Sequence, residues 1–333
     1  MTTHRAAHRE PGREASPTHP DTRAYGRFAI ASEPAKVHLE TTDVPTSAGV
    51  IRVRHGRRTG RPNARAIILL HGAAGSWSTF TPLLAAADAL AAADPQGAPA
   101  LDDLIIPDLP GWGDSPLAEA AADQTIEAVA ASVADVARAL GYEQWMIVGH
   151  SLGGFVALEL AAAEPAATRC VLLVSPTTFG VIEAVRSPLR GLRALPAYVG
   201  MLAVMRTLAH LGRLGTRLVE SMGETRFFRL SMSPLFADPR HIDPSVYRAL
   251  AAEARPQAFA IASARAGEYD PRRWFGIRCP VRSLSGSSDV FVADADAARL
   301  EATIPDFEGG VIEGAGHFGH IERPVEVLER LFE

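Results

Sequence analysis

The chemistry in this chain starts at a serine. Gly149-His150-Ser151-Leu152-Gly153-Gly154 follows the apolar run Trp145–Val148 and precedes an alanine-rich stretch. A Gly-x-Ser-x-Gly turn between strand and helix lifts a serine hydroxyl clear of a sheet, where it can act as a nucleophile. The turn holds the serine at a strained backbone position. Neighbouring chain passes so close that only residues without a bulky Cβ fit at Gly149 and Gly153. The helix that follows aims its N-terminal amides at an oxyanion developing beside Ser151.

A serine hydroxyl alone is a weak nucleophile. It needs a base, and the base needs an acid to orient it. Behind a nucleophile of this kind the chain order is Ser, then Asp or Glu, then His. The apolar run Val281–Leu284 leads into Gly286-Ser287-Ser288-Asp289, and Val311–Ile312 leads into Glu313-Gly314-Ala315-Gly316-His317. Asp289 and His317 would then lie at carboxyl ends of strands, where α/β sheets place their sites. His320 is a rival base, or else packs under the loop or touches substrate. His317 is preferred for its strand-end position, its Gly-Ala-Gly approach and its distance from Asp289. Asp294 and Asp296 are rival acids in a helical-looking stretch, where surface carboxylates are expected. Ser175, ending the strand before, leaves no acid at that alternative position. The second oxyanion donor should follow an early strand. Ala66–Leu70 runs into His71-Gly72-Ala73-Ala74-Gly75. Gly72 lets the chain bend toward the nucleophile, the Ala73 amide pairs with that of Leu152, and His71 braces the loop by hydrogen bonds.

These residues need a scaffold. Ile51–Val53, Ala66–Leu70, Leu104–Ile106, Trp145–Val148, Val171–Val174, Val281–Leu284 and Val311–Ile312 read as buried strands, separated mostly by helices. Thr125–Leu140 carries apolar residues at a period near 3.6, and Leu152–Ala163 is apolar nearly all round, as a buried helix is. The pattern implies a mainly parallel sheet covered on both faces. The alternation stops after Pro176 and resumes at Cys279. The stretch between is helical, with Leu195, Tyr198, Leu202, Met205 and Leu208 on one face, followed by turns at Ser233-Pro234, Asp238-Pro239 and Asp243-Pro244.

Four matches together resemble the α/β-hydrolase fold superfamily, in its branch of serine hydrolases with a helical cap. They are His71-Gly72 after a strand, the run Asp108-Leu109-Pro110-Gly111-Trp112-Gly113-Asp114-Ser115, the Gly149–Gly153 elbow, and Gly314–His317 with Glu322-x-Pro324 behind it. The matches cover the chain from about residue 50 onward. The resemblance implies an α/β fold with a mostly parallel eight-stranded sheet, helices on both faces and an inserted helical cap. Behind residues 1–27, whose polar composition reads as a flexible tail, it implies a core over 28–177 and 273–333 and the cap over 178–272. It implies a triad of Ser151, Asp289 and His317. It makes Asp108–Ser115 a loop that shapes the site's wall, with Asp108 structural. Epoxide hydrolases and haloalkane dehalogenases of this fold carry aspartate at the elbow, which sets them aside. Esterase, lactonase, thioesterase, carbon–carbon bond hydrolase and peroxidase-like side activities remain. The carbon–carbon hydrolases usually carry tryptophan after the histidine, where this chain has Phe318, and a cap arginine, for which Arg186, Arg190, Arg193 and Arg206 stand available. A non-catalytic small-molecule receptor and a partner-dependent interaction module complete the alternatives.

Composition bounds the rest. The chain has 333 residues, 47% hydrophobic and 21% charged, so it can bury a sizeable core. A net charge of −5 argues against a nucleic-acid partner. Lys36 is the only lysine, which reads as coding bias. Cys170 and Cys279 each open an apolar run and read as buried free thiols; two cysteines make neither a disulfide framework nor a cysteine zinc site. The polar first residues lack the apolar segment of a secretory signal, and Glu10, Glu14 and Asp21 fit a transit peptide poorly. No apolar run reaches the length of a membrane span. A cytoplasmic protein acting on a small, mostly apolar molecule is expected. Gly314–Gly319 fits a dinucleotide fingerprint formally, but too little chain follows for the helix and acid that fingerprint needs. His317 and His320 sit in a glycine-rich loop without a metal-binding pattern. No metal or organic cofactor is implied. Arg226-Phe227-Phe228-Arg229 reads as cap packing.

Overall fold

The computed structural model describes residues 24–332 except 96, 98 and 224. Much of the proposed tail, 1–23, lies outside the described residues. Its last residues do not trail away: Tyr25 donates a hydrogen bond to Glu322, and the Gly26 amide donates to the Glu322 carbonyl. The tyrosine's hydroxyl needs a partner once its ring packs, and a buried carboxylate supplies one.

Eight strands form one sheet: β1 (Leu39–Thr46), β2 (Gly49–Gly56), β3 (Ala66–Leu70), β4 (Leu104–Pro107), β5 (Trp145–His150), β6 (Thr168–Val174), β7 (Val281–Gly286) and β8 (Phe307–Ile312). Their spatial order is β1-β2-β4-β3-β5-β6-β7-β8. The β1–β2 and β2–β4 pairs are antiparallel, and the others are parallel. Alternate residues on the central strands feed two cores. Ile68, Leu70, Ile147, Val171 and Leu173 face one side; Leu69, Val148, Leu172 and Val174 face the other. Helices α2 (Ile126–Ala139), α3 (Leu152–Ala163) and α11 (Asp296–Thr303) contribute to the first core, while α1 (Thr81–Ala93) and α13 (Pro324–Leu331) contribute to the second. Burial on both faces is why the central strands read as unbroken apolar runs. At the edge, β8 leaves Val311 half exposed rather than buried. Cys279 is a buried free thiol, whereas Cys170 is only half buried.

Strands β6 and β7 are neighbours although seven helices separate them in the chain. These are α4 (Phe179–Arg186), α5 (Pro188–Ala194), α6 (Pro196–His210), α7 (Arg213–Met222), α8 (Arg226–Met232), α9 (Pro244–Ala252) and α10 (Pro256–Glu268). Tyr198, Leu202 and Met205 are the buried face of α6. One short helix, α12 (Gly319–Glu322), precedes α13. The insertion is tied to the core through the Asp108–Ser115 loop, because Glu253 beyond α9 accepts from the Gly113 amide.

Candidate active site

Strand β5 ends at His150, α3 begins at Leu152, and Ser151 between them has φ 51° and ψ −118°. A non-glycine residue rarely holds this conformation, so the surroundings must enforce it. They do so by close approach. A Cβ on Gly153 would overlap the Leu70 carbonyl of β3, and one on Gly149 would lie 2.6 Å from the Gly153 carbonyl oxygen. Gly72 shows the same pressure, since a Cβ there would stand 2.8 Å from Cβ of Ser151. The loop after β3 therefore passes directly over the serine. Ala73 and Leu152 both line the cavity beside Ser151. Their amides donate to no other backbone group among the described residues. His71 is fully buried; its Nδ1 donates to the Gly72 carbonyl at 2.8 Å, and its Nε2 accepts from the Leu109 amide at 2.9 Å. Burial lowers its pKa and keeps it neutral, as the accepting nitrogen requires.

The other two residues arrive from the next strand ends. Asp289 follows β7 and His317 follows β8, and Nδ1 of His317 lies 3.0 Å from each carboxylate oxygen of Asp289. Asp289 also accepts from the Phe291 amide at 2.8 Å. Burial alone would raise the pKa of this carboxyl. The His317 charge and hydrogen bond and the Phe291 amide outweigh burial and hold it below the usual range. With Nδ1 on Asp289, Nε2 of His317 is the nitrogen left for the cavity that His317 and Ser151 both line. No hydrogen bond joins Ser151 to His317 in this structure.

His320, the rival base, lies elsewhere. It is wholly buried against Phe80, His150 and Phe318, and neither ring nitrogen has a hydrogen-bond partner among the described residues. Burial drives its pKa down to about 3, with the His317 charge adding to the effect. Asp296 corrects the expectation of a surface carboxylate. It is buried at the start of α11 and accepts from the Thr178 hydroxyl at 2.8 Å and the Gly180 amide at 2.9 Å. It secures the first turn of α4, an N-terminal demand that helix amides always make. Burial pushes its pKa up to about 6. Asp294 is exposed.

Two positioning residues were missed in the sequence. Glu322 is wholly buried and accepts from the Gly316 and Phe318 amides, the Ala237 amide and the Tyr25 hydroxyl. It clamps both sides of His317 and joins that loop to the insertion and the N-terminal segment. Its spacing before Pro324 was the available signal. His150 donates from Nε2 to the His317 carbonyl at 2.9 Å, directly linking the elbow to the histidine loop. The His317 amide itself donates to the Leu235 carbonyl of the insertion at 2.8 Å.

The cavity between core and insertion holds about 850 Å³ of empty space, part of it open to solvent. Its wall is aliphatic, aromatic and thioether, including Met201, Met205, Phe228 and Met232 from α6 and α8. Among the described residues, its polar side chains besides Ser151 and His317 are Thr177, Tyr198 and Ser263. Tyr198 donates to Ser263 at 2.9 Å. Among the described residues no arginine lines it: Arg186 is spent on the Gly267 and Tyr269 carbonyls, and Arg190, Arg193 and Arg206 are exposed. Nor does the Asp108–Ser115 loop form this wall. Asp108 is buried on Arg54 and the Trp77 and Asp114 amides, and the loop reaches the site through the Leu109 amide on His71. Among the described residues no three His, Cys, Asp or Glu side chains could hold a metal ion.

The sequence signature described as the alpha/beta hydrolase family matches residues 67–330. The chain belongs to that family. This hydrolase is 26% identical over 276 residues to RutD of Escherichia coli O9:H4 (strain HS), provisionally named a carbamate hydrolase, covering 79% of this chain and 88% of RutD. Among solved structures it is similar to a thermophilic esterase from Thermogutta terrifontis, at 20% identity and TM-score 0.60 over 87% of this chain and 96% of the esterase. It is also similar to lip1 of Acinetobacter baumannii AYE, provisionally named a lipase, at 19% identity and TM-score 0.63 over 91% and 96% of the two chains. At such identities the two structures establish the shared fold.

Proposed function

We propose that this hydrolase cleaves a small, largely hydrophobic carboxylic ester, lactone or thioester through an acyl-enzyme on Ser151. His317 Nε2 takes the serine proton as Oγ attacks the carbonyl. Asp289 holds the Nδ1–H tautomer and stabilises the imidazolium. The amides of Ala73 and Leu152 receive the oxyanion, and the N-terminus of α3 adds its dipole. The tetrahedral intermediate collapses by breaking the bond to the alcohol or thiol, which leaves with the proton from His317. Water then attacks the acyl group with the neutral His317 as base, and the proton returns to Ser151 as the acid is released. The insertion acts as the cap that excludes solvent from this step. The observation that carries the reading is the buried Asp289–His317 pair at the same apolar cavity as a strained, unpartnered Ser151.

The cavity narrows the substrate. Its apolar wall suits an alkyl or aryl acyl group. The Tyr198 and Ser263 hydroxyls share one hydrogen bond, so one of their two protons is left to donate to an oxygen on the substrate. With no cationic side chain in the wall, nothing would neutralise the carboxylate of a ring-cleavage product, and this favours an ester over a carbon–carbon bond. RutD's name adds carbamates to the compounds worth assaying. The missing Ser151–His317 hydrogen bond favours a second reading, a receptor that binds without turnover. Such bonds often tighten only around substrate.

The test sets wild type beside Ser151→Ala with p-nitrophenyl esters of increasing chain length and a fluorophosphonate label. Serine-dependent turnover and labelling are expected, with a loss of about 10⁶ in kcat for the variant. A folded wild type that neither turns over nor labels, yet binds the esters, would establish the receptor instead.

A further inference from the structure

The outer face of the insertion breaks the rule that governs the rest of the surface. Between α5 and α8, Leu189, Leu192, Val204, Leu214, Phe227 and Leu230 are 54–84% exposed. These helices already bury another face: Leu202 and Met205 on α6, Gly215 and Val219 on α7, and Phe228 on α8. Leu208, Val219, Met222, Phe228 and Met232 pack into one small cluster that joins α6, α7 and α8. Their second, outward apolar face is therefore not required to hold them together. Leu189 and Leu192, Leu214 and Leu218, and Phe227 and Leu230 recur at helical spacings of three or four, so α5, α7 and α8 each present a stripe, and α6 adds Val204.

Charge says what covers it. From Leu189 to Leu230 the sequence has seven arginines against two glutamates, in a chain whose net charge is −5. All seven arginines are exposed, and none forms an ion pair among the described residues. Elsewhere arginines are routinely paired, as Arg54, Arg57, Arg138, Arg273, Arg282 and Arg299 are with carboxylates. Exposed leucines interleaved with unpaired arginines match an interface that is anionic at its surface and apolar just beneath. A second copy of the chain would bring seven arginines against seven. A nucleic acid would leave the leucines and Phe227 in water.

We propose that the outer face of α5–α8 docks this protein on an anionic lipid bilayer, peripherally and without spanning it. The leucines enter the headgroup–acyl boundary while the guanidinium groups stay at the depth of the phosphates. Among the described residues no helix is long and apolar enough to cross a membrane. The inner faces of α6 and α8 line the Ser151 cavity, so docking sets that cavity beside the source of any lipid-dissolved ligand.

The test is sedimentation of the full chain with vesicles of phosphatidylcholine alone and of phosphatidylcholine mixed with phosphatidylglycerol. It needs no turnover, so its outcome is independent of the chemistry at Ser151. Wild type should bind the mixed vesicles at least about tenfold more tightly than the neutral ones, and salt of about 0.5 M should weaken that binding. The triple variants Leu189→Ser/Leu214→Ser/Leu230→Ser and Arg213→Gln/Arg217→Gln/Arg226→Gln should each lose about tenfold or more, with circular dichroism and melting unchanged. Equal binding to both vesicles, or none by folded wild type, would overturn the proposal. So would polyanion binding, probed with a single-stranded oligonucleotide, that displaces the vesicles and survives the leucine changes. A dimer seen by light scattering and abolished by the leucine variant would assign the face to a second copy.

Discussion

At the scale of single residues, the hydrogen bond from His317 Nδ1 to Asp289 fixes which ring nitrogen faces the cavity. Asp289→Asn keeps the shape and removes the acceptor that selects this tautomer. We expect kcat to fall by about 10³–10⁴ with KM little changed, measured on the ester that wild type cleaves best. An equal loss in KM would mean that Asp289 shapes the cavity rather than the base. Residue identity also separates His317 from His320. Both are imidazoles three positions apart, His317 in the turn after β8 and His320 on α12. Only one meets a carboxylate; the other is sealed against Phe80 and Phe318 with no partner.

At the scale of elements, the site depends on how closely β3, β5 and α3 approach. Gly153→Ala would drive a methyl group into the Leu70 carbonyl. It should destabilise the fold by at least about 3 kcal/mol, read from urea unfolding, or leave the chain insoluble. Near wild-type stability would refute the close-approach account of the elbow. Glu322 poses a different requirement, four donors on one carboxylate. Glu322→Gln turns one acceptor into a donor facing donors. A loss of about 1–3 kcal/mol is expected, together with a lower kcat as the His317 loop relaxes. Stability lost with kcat intact would confine Glu322 to the fold.

Across the whole molecule, burial sets the pH response. His71, His150 and His320 are all buried, with pKa values pushed below the ordinary imidazole value by desolvation. Each stays neutral in the folded chain while the unfolded chain takes up a proton near pH 6.5. Stability is therefore fully present above that pH and is lost as pH falls through it. Asp296 and Glu322, raised by burial, act the other way and offset part of the loss at lower pH. The melting temperature should fall between about pH 7 and 5, and His320→Leu should make that fall shallower. A variant profile parallel to wild type would show that His320 does not carry the effect.

The sheet, the elbow turn, the placing of Ser151, Asp289 and His317 at strand ends, and the hydrogen bonding of His71 were legible because each is written locally. Strand periodicity, a turn that tolerates only small residues, and polar side chains placed just after apolar runs are properties of adjacent residues. Strand β1 does not read as an apolar run because it is an edge strand with mostly exposed threonine and acidic positions. Long-range packing was equally silent. Asp296 looked like a surface residue until α4 folded back to place Thr178 and Gly180 on it. The Asp108–Ser115 loop looked like a cavity wall until the insertion took that place. Glu322 gathers donors from the N-terminal segment, the insertion and the His317 loop, the farthest 297 positions from it in the chain. Sequence alone determined which groups could do chemistry and which strand ends would carry them. Tertiary structure decided which of them meet and which apolar faces stay uncovered. Burial and hydrogen-bond pairing depend on neighbours that only the folded chain brings together.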